Sequence, residues 1–111
     1  MVQNKPRLIK LMVGNLCNCI VHEILSKAID DELIRKHYNK ELSISFDIAS
    51  RYRKKINTVN RTLPESEEIK LRIRTKVSSE LRKREELGYE NIDFSIIDEI
   101  IDKFLKRLNL D

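Results

Sequence analysis

The sequence predicts an all-α protein: a compact bundle of four to five helices around a central apolar N-terminal helix. Three observations carry that prediction. Apolar residues recur at helical spacing along most of the chain. Glycine and proline are limited to Gly14, Gly88, Pro6 and Pro64, too few for many hairpins or phosphate loops, which need positive φ. Cap signals stand at the ends of the periodic segments. At 111 residues the chain reads as a single helical domain, 1–111, able to bury a real core.

The first block runs from about Pro6 to Tyr38. Pro6 suits a first-turn position, where its missing N–H costs nothing. Between Leu8 and Ile29 the apolar residues go nearly all the way round, the pattern of a helix at the centre of its fold or wrapped by a partner. Gly14-Asn15 marks a point of kinking or division. The cluster Asp30-Asp31-Glu32 starts a second, short helix over 31–37, since acids favour an N-terminal turn. Asn39-Lys40-Glu41 reads as a turn and Leu42–Ile44 as a loop. Ser45 then caps a helix over 46–59. One face of it gathers Ile48, Ala49, Tyr52, Ile56 and Val59, the other Ser50, Arg51, Lys54, Lys55, Asn57 and Thr58.

Thr62-Leu63-Pro64-Glu65 is a helix start with capping-box spacing. The helix extends to Leu87, with Gly88 as its left-handed cap. Its apolar stripe is thin, with Ile69, Ile73, Val77 and Leu81 one per turn. Glu68/Arg72 and Glu80/Arg84 have favourable ion-pair spacing. The last helix, 94–108, is the clearest amphipath, burying Ile97, Ile100, Ile101, Phe104, Leu105 and Leu108. Asp93 or Asn91 caps it.

Charge is unevenly spread. Residues 51–84 hold twelve Lys/Arg against four acids, a net +8 that leaves −4 for the rest of a chain whose net charge is +4. Such a split points to an acidic or polyanionic partner. The candidate nucleic-acid contacts are Arg51, Lys54, Lys55, Asn57 and Arg61, with the basic 70–84 face beside them, because these residue types bind phosphates and base edges. The short 31–37 helix, a turn and the 46–59 helix would together make a helix-turn-helix shape. The plainer alternative is a solvated basic face.

Other chemistries find less in the sequence. Cys19, His22 and Glu23 share a helix face, but neither Cys-x-x-Cys half of a structural zinc site is present. Cys17 and Cys19 point to opposite sides of a helix and cannot bridge. They read as buried thiols in a reducing, cytoplasmic setting. Asp30, Asp31 and Glu32 are better explained as dipole partners than as acid–base catalysts. No phosphate loop, nucleophile elbow or His-Glu-x-x-His occurs. No cofactor, metal or small-molecule substrate is inferred. The uncharged run 11–21 spans eleven residues, short of the roughly twenty that cross a bilayer.

The leading expectation is therefore a non-catalytic helical protein–protein interaction subunit, self-associating or part of a larger complex. It rests on the all-round apolar first block, which three amphipathic helices would struggle to cover. Nucleic-acid binding is the competing expectation.

Overall fold

A computed structural model describes residues 5–56 and 66–110. These residues form four α-helices, with no strand among them: α1 Lys5–Ala28, α2 Glu32–Lys55, α3 Ser66–Glu86 and α4 Ile97–Arg107. One turn of 3₁₀ helix, Phe94–Ile96, leads into α4. The body measures 45 × 24 × 20 Å, its length set by two 24-residue helices of about 36 Å each.

The first helix is central, as its all-round apolar pattern predicts. It packs most extensively on α2 and also meets α3 and α4. Met12, Val13, Leu16, Cys19, Ile20 and Leu25 are wholly covered. Three helices thus suffice to bury the first block, against the expectation that it needs a further partner. The reason is length: α2 runs antiparallel cover along nearly all of it. Gly14-Asn15 does not divide α1, because the Asn15 side-chain amide donates to the Leu11 carbonyl at 2.9 Å within the continuous helix. By length and composition α1 could also cross a bilayer, and most of its apolar surface lies in the core.

Asp31 starts α2 as expected, its carboxylate accepting from the Leu33 and Ile34 amides at 2.9 and 3.2 Å. The helix then continues without interruption to Lys55. The turn at 39–41, the loop at 42–44 and the cap at Ser45 do not exist. Asn39-Lys40-Glu41 carries turn-like polarity but no glycine or proline, and Tyr38, Leu42, Ser45 and Ala49 keep helical spacing through it. Ser45 and Ala49 are buried, small side chains that let the two long helices approach. The helix-turn-helix shape falls with the turn. Ile56 is extended and closes α2, so the helix also stops short of Val59.

The start of α3 at Thr62-Pro64 lies outside the described residues. Its seam is as read: Ile69, Ile73, Val77 and Leu81 are the buried residues. Gly88 takes φ 101°, with Gly88 N–H on the Glu85 carbonyl and Tyr89 N–H on the Arg84 carbonyl, both at 3.0 Å. These bonds are the Schellman pattern. Glu80 meets Lys83 at 3.9 Å rather than Arg84. The Arg84 guanidinium lies 5.6 Å over the Tyr89 ring, and the Tyr89 hydroxyl sits 3.3 Å from that of Tyr38.

All six apolar residues assigned to the last helix are buried. Asp93 caps its 3₁₀ entry through the Ser95 amide at 2.9 Å. Asn91 has φ 65° but caps no helix. The helix leaves through Asn109 at φ 57°, with Asn109 N–H on the Lys106 carbonyl at 3.1 Å and Leu110 N–H on the Leu105 carbonyl at 2.8 Å. This second Schellman closure was signalled by asparagine before an apolar residue just past Lys106-Arg107.

Candidate interaction surface

Arg51, Lys54 and Lys55 are exposed on the last two turns of α2, with the Lys55 ammonium 5.6 Å over the Tyr52 ring. Asn57 and Arg61 lie outside the described residues. Arg53, inside the same basic run, turns the other way. It is 2 % exposed, and its Nε and Nη2 donate to the Leu108 and Asn109 carbonyls at 2.7 and 3.1 Å. Burial pulls its guanidinium down from its ordinary value. This arginine serves the fold, satisfying carbonyls left over at the end of α4.

The basic face of α3 is partly neutralised by the chain itself. Lys70 reaches Asp102 at 2.7 Å and Arg74 reaches Asp98 at 2.6 Å. Lys103 on α4 meets Glu23 on α1 at 2.6 Å. Two of the twelve cations in 51–84, Lys70 and Arg74, therefore answer to the acidic face of α4. Each such pair contributes at most about 1 kcal/mol at the surface; the first two join α3 to α4 and the third joins α4 to α1. Lys76 and Arg82 remain exposed.

On α2 the pattern differs. No carboxylate lies within ion-pair distance of Lys36, Lys40, Arg51 or Lys54 among the described residues. The same outer side carries Leu33 at 78 % exposure and Ile44 at 45 %. Sequence reasoning missed this surface because it broke the helix at 39–45, so the spacing between Leu33 and Ile44 carried no meaning. Among the described residues, the other large exposed apolar groups are Ile34 beside Leu33, Leu71 on α3, and Leu87.

Cys17 and Cys19 are free and buried. Cys17 faces the α3 side, near Lys76 and Arg72, and burial pushes its thiol up to about 11. Cys19 faces α2, its Sγ 3.5 Å from the Leu42 carbonyl, and burial pushes it up to about 12. Neither supplies appreciable thiolate near neutral pH. The His22 ring packs at a tilt against Tyr38, 5.5 Å between ring centroids, and its buried Nδ1 has no hydrogen-bond partner among the described residues. Burial lowers its pKa, with Glu41 opposing and Arg84 and His37 adding to the effect. No three His, Cys, Asp or Glu side chains converge for a metal among the described residues.

A cleft of about 650 Å³ opens between the end of α1 and α4, with Glu23, Lys27, Glu99 and Lys103 over Ile24 and Ile100. Its lining holds no histidine, cysteine, serine or threonine. Asp30, Asp31 and Glu32 stand exposed at the α1–α2 junction, where Asp31 acts as the helix cap. Comparison with known proteins finds no family model, no curated protein and no solved structure that matches this chain.

Proposed function

We propose that this chain is a non-catalytic helical protein–protein interaction subunit of the cytoplasm. The observation that carries the reading is the outer side of α2, where Leu33 and Ile44 stand exposed among cations that meet no carboxylate among the described residues. Exposed apolar residues grouped on one helix face are a usual mark of an interface. The two buried cysteines, held as thiols near neutral pH, support a structural role for both rather than a nucleophilic one. Replacing Leu33 with a photo-crosslinking residue in the native host tests it. A protein adduct is expected from Leu33 and not from the exposed Glu99. A nucleic-acid adduct, or equal yields from both positions, would overturn the reading.

Nucleic-acid binding through the basic end of α2 and the 70–84 face is the second reading, supported by the exposure of Arg51, Lys54 and Lys55. It weighs less because Arg53, Lys70 and Arg74 are engaged within the fold. Under this reading each neutralised phosphate adds about −0.9 to the log–log salt slope on duplex DNA. The triple substitution Arg51→Ala, Lys54→Ala, Lys55→Ala would then flatten that slope. Equal slopes for parent and variant would remove it.

A further inference from the structure

We infer that the outer face of α2 docks an acidic amphipathic helix of another protein. The inference rests on the interaction reading above and names the partner's chemistry. Measured from Leu33 at 100° per residue, Lys36, Lys40, Ile44, Ile48, Arg51, Lys54 and Lys55 all fall within roughly 60°. Tyr38, Leu42, Ala49 and Arg53, which face the rest of the fold, lie roughly 140–200° away. The helix therefore has two working sides. The inner one holds the bundle. The outer one carries Leu33, Ile44 and, at its edge, the half-buried Ile48, interspersed with five cations, of which Lys40 and Arg51 lie on the same line, and with one acid, Asp47.

Charge complementarity selects the occupant. A second copy of the chain would set five cations against five cations across a two-fold axis, with only Asp47 from each side to offset them. A phosphate backbone would satisfy the cations but leave Leu33 and Ile44 against a charged, hydrated surface. A helix with leucines or isoleucines three turns apart, flanked by aspartate and glutamate, satisfies both. Leu33 and Ile44 are separated by about 16 Å along the axis, three helical turns. Three cations on α3 and α4 show the complementary pattern within the fold: Lys70, Arg74 and Lys103 each meet a carboxylate of another helix at 2.6–2.7 Å. A partner supplying carboxylates to α2 completes the same pattern from outside.

The probe is a synthetic helical peptide with a leucine stripe at this spacing and glutamates on its flanks. It is titrated into isotopically labelled protein and followed by NMR, beside a scrambled peptide of the same composition. Shifts centred on Leu33, Ile44 and Arg51 are expected. Ile44→Glu should weaken binding by at least about tenfold, and so should the charge reversal Lys40→Glu with Arg51→Glu. Leu71→Glu on α3 should leave it unchanged. Melting temperatures of the variants confirm folding, since each site is on the surface. Equal binding of the scrambled peptide, shifts centred on α3, or displacement of the peptide by a duplex oligonucleotide would overturn the inference. So would a dimer in sedimentation equilibrium that Ile44→Glu abolishes. A protein adduct from Leu33 together with failure of the peptide would leave the interaction reading intact and reject the acidic helix.

Discussion

Arg35 and Arg53 stand eighteen residues apart on α2, five full turns, and so share one face. Each reaches the carbonyls that close a different helix. Arg35 donates to Ser26 and Ile29 at 3.1 and 2.6 Å, at the end of α1. Arg53 donates to Leu108 and Asn109 at the end of α4. The second helix is thus a brace about 27 Å long between two C-terminal ends, where a positive charge also meets the negative pole of each helix dipole.

The two anchors differ in burial, and the difference sets their cost. Arg53→Ala removes the donor from the buried Leu108 carbonyl, and should destabilise by about 2–4 kcal/mol. Arg35→Ala exposes its carbonyls to water and should cost about 0.5–1.5 kcal/mol. Urea denaturation of both variants measures the gap. Equal losses would contradict the structural contrast between them.

Phe104 is wholly covered, with its ring 5.8 Å from that of Phe46. Phe104→Ala should destabilise by about 3–5 kcal/mol. A melting temperature within a degree or two of the parent would show that α4 is not packed as described.

Gly14 sits inside a continuous helix, and a Cβ built there meets nothing within 4 Å. Gly14→Ala should therefore stabilise the protein by about 0.5–1 kcal/mol, through lower entropy of the unfolded chain. A loss of stability on thermal melting would mean that the glycine has a role beyond space.

His22 makes stability depend on pH. Its folded-state pKa lies below the ordinary 6.5 because burial disfavours the imidazolium. As pH falls through 6.5, the unfolded chain takes up a proton that the folded chain resists. Stability from this residue is present above 6.5 and declines below it. His22→Gln should reduce the dependence between pH 7 and 5 in denaturation curves. Asp93, whose pKa is lowered by its bonds to Ser95, acts in the same direction but only near the carboxylate range.

What was legible in the sequence was local. Gly88 and Asp93 announce their ends of helices through their own backbone and side chain. The 97–108 stripe needs only its period. The 39–45 segment misled because Asn39, Lys40, Ser43 and Ser45 have the composition of a turn. The apolar positions that keep it helical are decided by contact with α1. Arg53 could not be told from Lys54 and Lys55, since its acceptors lie more than fifty residues away and are main-chain carbonyls. The pairing of Lys70 and Arg74 with Asp102 and Asp98 was hidden for the same reason. The total charge was readable, but which charges the fold would bring together was not.

The two thiols, set on opposite sides of α1, make the molecule report on its own opening. Cys17 lies under α3 and Cys19 under α2, so each becomes reactive only when a different flank lifts. The seam of α3 is four apolar side chains long, whereas α2 is braced at both ends, so α3 should part from the bundle at lower free energy. Under native conditions a thiol reagent should label Cys17 faster than Cys19, at a rate set by local unfolding of α3. Arg53→Ala should accelerate Cys19 selectively. Identical rates at both positions would mean that the bundle opens as one cooperative unit.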